Sequence, residues 1–77
     1  MTSLQILYFL TAADCMSFSQ TSEKLYVSQP AVSRQIKLLE HELGCQLFDR
    51  SRKNSIRLTP AGIVFQDAFL QIQTIYS

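Results

Sequence analysis

The stretch Ser28-Gln29-Pro30-Ala31-Val32-Ser33-Arg34-Gln35-Ile36 decides the fold of this chain. Ser28 is a typical helix N-cap, and Pro30 falls within the first turn, where its missing N–H removes no helical hydrogen bond. The apolar pattern continues to Leu43 and stops at Gly44, a typical helix C-terminus. We therefore predict a helix over residues 28–43.

This helix has two different faces. At about 100° per residue, one face is apolar and the opposite arc is polar and cationic. The apolar face holds Val32, Ile36, Leu39 and Leu43, and the polar arc holds Pro30, Ser33, Arg34 and Lys37. The first face is predicted to be core and the second to be exposed. Taken alone, the cations of the arc are more typical of a solvated surface than of a binding site.

The flanking sequence predicts a small, mainly α-helical domain. Residues 4–14 predict a first helix, with Ile6, Phe9, Leu10 and Ala13 as its core stripe. Ser19 is predicted to cap a short second helix over residues 20–25, and Tyr26-Val27 to form a tight turn. Helix, short helix, turn and capped helix are the order of a helix-turn-helix.

The second half of the chain predicts a hairpin and a final helix. Two short strands flank a turn at residues 51–55, so residues 50–57 form a cationic wing. Thr59 is a third N-cap, with Pro60 at the first helical position of a helix that runs to Ser77. We predict a winged helix-turn-helix of three helices and a two-stranded wing over 1–58, followed by a C-terminal linker helix over 59–77.

Composition bounds the function. The chain has 77 residues, 47% hydrophobic and 17% charged, and a formal net charge of only +1. Arg50, Arg52, Lys53 and Arg57 nevertheless fall together and predict a local basic patch. Cys15, Cys45 and the single His41 lack zinc-site spacing, and no catalytic constellation or phosphate loop is present. We therefore expect no enzyme, no metal, no cofactor and no membrane span.

Surplus apolar residues predict a homodimer. The linker-helix stripe has no later element to cover it, and the first helix has a second apolar face outside its core stripe. We expect these surfaces to pair between two copies. The predicted dimer residues are Leu4, Leu7, Tyr8, Phe65, Phe69, Ile72 and Tyr76.

The element order favours DNA binding. It lets one helix enter the major groove while a wing covers a neighbouring groove. Gln29 pairs well with adenine, Arg34 with guanine, and Ser33 with either base type or with phosphate. Arg50 either contacts DNA or pairs with Glu40, Glu42 or Asp49, and the sequence leaves both readings open.

The same residues resemble a known family. The runs Phe18–Leu25 and Val27–Ile36, then Leu39-Glu40, Leu43-Gly44, Leu47-Phe48, Arg50 and Leu58–Gly62, are similar to the N-terminal domain of LysR-type transcriptional regulators. The resemblance spans nearly the whole chain. Its departures are Thr21-Ser22, where the family usually has two alanines, Met16, where it usually has glycine, and Cys45, where it usually has valine.

The resemblance implies a cytoplasmic, nucleoid-associated bacterial regulator. It implies double-stranded DNA with an interrupted palindrome as partner, bound by a dimer or, in a longer form, a tetramer. A small-molecule effector is then expected to bind only through a C-terminal domain absent from these 77 residues. The resemblance implies DNA contacts on the recognition helix and the wing, by Gln29, Pro30, Ser33, Arg34, Arg52 and Lys53. Their residue types and positions add four further candidate DNA contacts: Thr21, Ser28, Lys37 and Arg50.

Two other functions remain open from the sequence. A winged helix that docks on protein is one, although its exposed arc is expected to be more aromatic and apolar than this one. A fragment that sequesters full-length regulators in mixed dimers is the other. Selection of bound duplexes from a random pool separates DNA binding from protein docking, and co-expression with a full-length relative tests for mixed dimers.

Overall fold

Four helices and one two-stranded hairpin make up the protein in the computed structural model, which describes residues 1–53 and 55–76, with side chains as far as Gln73. In chain order the elements are α1 (Ser3–Cys15), α2 (Phe18–Leu25), α3 (Gln29–Leu43), β1 (Phe48–Asp49), β2 (Arg57–Leu58) and α4 (Pro60–Tyr76). The strands are antiparallel, and Phe48 pairs with Leu58. The predicted winged helix-turn-helix and linker helix are confirmed, although Asn54 of the predicted turn lies outside the described residues.

Short side-chain caps begin the helices where the sequence predicted them in two cases out of three. The Ser28 hydroxyl accepts from the backbone N–H of Ala31 at 3.2 Å, and Thr59 Oγ1 accepts from that of Gly62 at 2.9 Å. The predicted cap at Ser19 is wrong. Ser17 is extended and accepts from the Gln20 N–H, so α2 begins at Phe18. Ser17 has this role because α1 ends immediately before it, at Met16.

All three connections after α1, α2 and α3 use a residue in the left-handed region. Gly44 ends α3 with φ 73°, as predicted from its type. Met16 and Tyr26 end α1 and α2 with φ 53° and 57°, a conformation that bulky residues rarely adopt. The turns at Met16 and Tyr26 let α1, α2 and α3 follow one another with only two or three residues between them.

The core lies where α1 meets the other three helices and the wing. The Phe9 ring lies 5.5 Å from that of Phe48 on β1 and 5.7 Å from that of Phe69 on α4, measured between centroids. Phe18 at the start of α2 lies edge-on to Phe48 at 5.5 Å. Aromatic contacts of this geometry are favourable beyond the area they bury. The same core therefore fixes the wing and the linker helix against the helix-turn-helix.

Tyr8 is a correction to the predicted outer face of α1. It is only 6% exposed and belongs to the core, whereas Leu4 and Leu7 are exposed as predicted. The predicted stripe was too narrow because α1 packs against α2, α3 and α4. A helix with neighbours on three sides buries more than one stripe.

Gly62 marks the closest approach of α4 to the hairpin. A Cβ at Gly62 would overlap the carbonyl oxygen of Leu47 and lie 2.9 Å from Leu58 Cδ2. The Thr59 N–H also donates to that carbonyl at 3.0 Å. Glycine is therefore required here by space rather than by backbone conformation.

Candidate nucleic-acid interface

The polar arc of α3 stands between two open hollows. The first, of about 410 Å³, lies between α3, the start of α2 and the wing, and we call it the wing groove. The second, of about 520 Å³, lies on the other side of α3 and is bordered by Pro30, Arg34 and His41. Ser33 and Lys37 border both hollows. The arc is therefore a ridge accessible from both sides.

Half of the predicted binding residues come together at the wing groove. Its lining contains Gln29, Ser33 and Lys37 from α3 and Arg50 and Arg52 from the wing. Ser28 lies at the adjacent helix start, and its hydroxyl is engaged in capping. Lys53 is exposed on the wing, outside the lining.

The sequence prediction missed two serines of this groove. Ser17 and Ser19, at the start of α2, line it together with Ser55 of the wing. Their signal was the helix-turn-helix order itself, because the first helix of that motif crosses the DNA backbone. Ser19 was assigned to capping instead, and that assignment hid its position.

The cations of the ridge and wing tip are free of carboxylate partners. Among the described residues, no salt bridge involves Arg34, Lys37, Arg52 or Lys53. No Asp or Glu is among the residues that line the two hollows. A nearly neutral chain thus presents a locally positive surface, and such a surface attracts polyanions.

Arg50 is the exception, because it pairs inside the domain. Its two terminal nitrogens donate to both carboxylate oxygens of Glu40, at 2.9 and 3.2 Å, and its guanidinium lies 5.4 Å from the Phe18 ring centroid. Of the three carboxylates that the sequence left open, Glu40 is the partner. Glu40 Oε2, which accepts from one of these nitrogens, also accepts from the backbone N–H groups of Leu47 and Phe48. Glu40 therefore joins the end of α3 to the first strand of the wing.

Asp49 organises the turn at the wing. The backbone N–H of Ser51 donates to Asp49 Oδ1 at 2.9 Å. This bond, then the Ser51 hydroxyl, then the charges of Arg52 and Arg57 lower the pKa of the Asp49 carboxyl below its ordinary value. Asp49 is thus ionised through the neutral range and stabilises the turn by accepting from Ser51.

Thr21 is a correction to the predicted DNA contacts. Its side chain is fully buried, and its hydroxyl donates to the Ser17 carbonyl at 2.6 Å and lies 3.2 Å from the Cys15 sulfur. It is buried because it occupies the α2 face that packs against α1. A phosphate cannot reach it.

The predicted dimer residues divide into two groups. Phe69 is 2% exposed and Phe65 is half-buried against the core, so both serve their own domain, as the contact with Phe9 explains. Ile72 remains exposed, together with Leu4 and Leu7. The side chain of Tyr76 lies outside the described part of the structure. The exposed apolar stripe of α4 is formed instead by Val64, Ala68 and Ile72, which share one face at 100° per residue.

Comparison with known proteins agrees with this architecture. The structure superposes on the BenM DNA-binding domain in its complex with benA site 1 DNA, with TM-score 0.92 and 33% sequence identity. The superposition covers 99% of this chain and 87% of the BenM domain chain. It also superposes on the CbnR DNA-binding domain in its complex with DNA, with TM-score 0.92 and 34% sequence identity. That superposition covers 99% of this chain and 86% of the CbnR domain chain. The fold and its exposed cationic ridge are those of a winged helix-turn-helix domain.

Sequence comparison then gives the family. Residues 4–63 match the bacterial regulatory helix-turn-helix proteins of the lysR family. The transcriptional regulator BsdA of Bacillus subtilis (strain 168) is 38% identical over 82 aligned residues, which include 92% of this chain. The chain belongs to the LysR family. The chain spans only 28% of the length of BsdA, so membership in the family does not by itself assign it the activity of a whole regulator.

No helix within residues 1–53 and 55–76 combines the length and the apolar character needed to cross a membrane. Over the same residues, no three His, Cys, Asp or Glu side chains gather as metal ligands.

Proposed function

We propose that this chain binds double-stranded DNA sequence-specifically and so regulates bacterial transcription. The observation that carries the proposal is the ridge of α3, where Arg34 and Lys37 have no carboxylate partner among the described residues and stand between two open hollows. Desolvating such cations against a protein surface is unfavourable, whereas phosphates and guanine edges complement them. The ridge enters the major groove, and the wing lies at the adjacent minor groove.

The residues divide into readers of bases and contacts to the backbone. Gln29, Ser33 and Arg34 project from the first two turns of α3, where a recognition helix meets base edges. Ser28, Pro30 and Lys37 flank them and contact the phosphate backbone and the edges of the groove. These assignments follow from exposure on one arc of one helix.

The wing contributes charge rather than sequence reading. Arg52 and Lys53 are exposed beyond the paired strands and face phosphates at the minor groove. Arg50 acts differently, since Glu40 and Phe18 hold its guanidinium. It positions the wing relative to α3, and the distance between the two determines which phosphates Arg52 reaches.

Selection of duplexes from a random pool at near-physiological salt tests the proposal. The chain should enrich an AT-rich site with two-fold symmetry, and Arg34→Ala should lose about 1–3 kcal/mol at one base position and relax discrimination there. Arg52→Ala should weaken all duplexes alike and reduce the log–log salt slope by about 0.9. Lys24→Ala is the matched control, because Lys24 lies outside both hollows and 4.0 Å from Asp14. No enrichment at any salt concentration would assign the ridge to a protein partner.

The same proposal includes a homodimer. Two adjacent helices carry exposed apolar side chains, each 41–65% exposed: Leu4 and Leu7 on α1, and Val64 and Ile72 on α4. An exposed apolar surface of this kind is typical of an interface with another protein chain. Val64→Glu should shift the chain toward monomer in sedimentation without unfolding it. Gln73→Glu, exposed on the opposite side of α4, should leave the oligomeric state unchanged. Equal effects of the two variants would remove α4 from the dimer interface.

The remaining properties concern a whole regulator. Since the chain spans 28% of BsdA, we propose that a small-molecule effector acts on a separate domain of a longer protein and that the assembly is cytoplasmic and nucleoid-associated. Tetramers of such a protein would pair two dimers on one interrupted palindrome. The 77 residues themselves supply the DNA-binding part and no catalysis.

A further inference from the structure

Tyr26 is the most exposed large hydrophobic side chain among the described residues. It is 95% exposed, so its ring contributes almost nothing to the core. Burial is the ordinary reason for an aromatic residue in a small domain, and it does not apply here. The fold alone gives no use for this ring.

The backbone at Tyr26 makes its presence less expected still. Its φ of 57° and ψ of 43° lie in the left-handed region, where asparagine and glycine are favoured and bulky residues are strained. The conformation is fixed by its surroundings, since the Tyr26 N–H donates to Glu23 and Ser22 carbonyls and the Val27 N–H donates to Ser22 at 3.0 Å. A tyrosine here is both strained and unpacked, and strain of this kind concentrates at functional positions.

The position of Tyr26 in the chain gives that function. It stands two residues before Ser28, so its Cα lies within about 7 Å of the cap that begins α3. The first turn of α3 carries Gln29 and Pro30 at the exposed ridge. A protruding phenol beside the start of this helix is within reach of the same DNA strand.

We propose that Tyr26 contacts the sugar–phosphate backbone at the edge of the groove that α3 enters. The hydroxyl donates a hydrogen bond to a phosphate oxygen, and the ring packs against the deoxyribose, as tyrosines do among protein–DNA backbone contacts. The inference rests on the proposed function. It adds a contact that fixes the orientation of the recognition helix without reading sequence.

The test uses one substitution that separates folding from binding. Tyr26→Asn removes the ring and places a residue that tolerates the left-handed conformation, so the melting temperature should stay equal or rise. Affinity for selected and random duplexes should fall together, by about tenfold, the value of one hydrogen bond to a charged group. The salt slope should be unchanged, because a neutral side chain releases no counterion.

Two further variants make the result specific. Tyr26→Phe keeps ring and strain and should lose most of that tenfold factor if the hydroxyl carries the contact. Met16→Asn makes the same backbone change at the other strained turn and gives the gain in stability expected from relief of strain alone. If wild type binds DNA and Tyr26→Asn binds equally well, the inference is overturned and the ring belongs to a protein surface. If wild type enriches no duplex, the proposed function itself has failed, and this inference fails with it.

Discussion

Replacement of Glu40 by glutamine tests how recognition helix and wing are held together. The carboxylate is 9% exposed by side chain, and it accepts from the N–H groups of Leu47 and Phe48 and from both terminal nitrogens of Arg50. In Glu40→Gln the remaining amide oxygen can still accept from the backbone N–H groups of Leu47 and Phe48. The amide NH₂ then faces the Arg50 guanidinium, and because both groups are donors they form no hydrogen bond. The Arg50 charge, 28% exposed, loses its partner.

The loss should be large for so small a domain. Breaking a buried pair by removing one partner costs about 3–5 kcal/mol. A chain of 77 residues has a free energy of unfolding of roughly 4–12 kcal/mol. Because each kcal/mol lowers the melting temperature of such a domain by about 4–8 °C, Glu40→Gln should lower it by at least about 12 °C.

Urea unfolding followed by circular dichroism measures this loss, with Glu42→Gln as control. Glu42 lies on the same helix and is 52% exposed, with the N-terminal ammonium as its partner, so its replacement should cost at most about 1 kcal/mol. Arg50→Gln should cost less than Glu40→Gln, because the carboxylate keeps its two backbone donors. A Glu40→Gln variant within about 1 kcal/mol of wild type would refute the reasoning.

Three further outcomes follow from single contacts. Gly62→Ala should destabilise by about 1–3 kcal/mol despite the better helix propensity of alanine, because its Cβ meets the Leu47 carbonyl; a raised urea midpoint would contradict this. Thr21→Val should cost about 1 kcal/mol for the lost hydroxyl bond and leave DNA affinity within about twofold, whereas a tenfold loss in a binding titration would restore Thr21 as a phosphate contact. The Asp49 carboxyl should titrate below 3.8 by NMR, so its stabilisation of the wing, present above that pH, is lost as the pH falls through the lowered pKa; a midpoint at or above 3.8 would exclude this.

The helix ends were largely predictable because their signals are local. Ser28, Gly44 and Thr59 each act within three or four residues, and the sequence contains everything that decides them. The left-handed ends at Met16 and Tyr26 carry no such signal, since neither residue favours that conformation. Local backbone hydrogen bonds hold it, from the Met16 N–H to Ala12 and from the Val27 N–H to Ser22. Because the end of α1 at Met16 carried no signal in its residue type, the cap of α2 was placed two residues late.

The errors in the site share a different cause. Thr21, Tyr8 and Phe69 were assigned to outward roles because periodicity gives a face but not the number of neighbours that cover it. For Phe69 the missing information was that α1 and α4 pack together through Phe9, which lies 60 residues earlier in the sequence. The exposed ridge was predicted correctly in place because α3 is amphipathic and its polar arc has no competing neighbour.

The pattern of paired and free charges connects this fold to its proposed activity. Arg50 and Lys24 have acidic partners, whereas the cations of the ridge and the wing tip have none among the described residues. The pairing that Arg50 makes fixes the first strand of the wing to α3 through Glu40, so the backbone that carries the free cations is in place before DNA binds. Binding then requires little reordering of the backbone, and its free energy is not reduced by that cost. A substitution at the free cations should therefore change affinity alone, while one at Glu40 should change stability first and affinity through it.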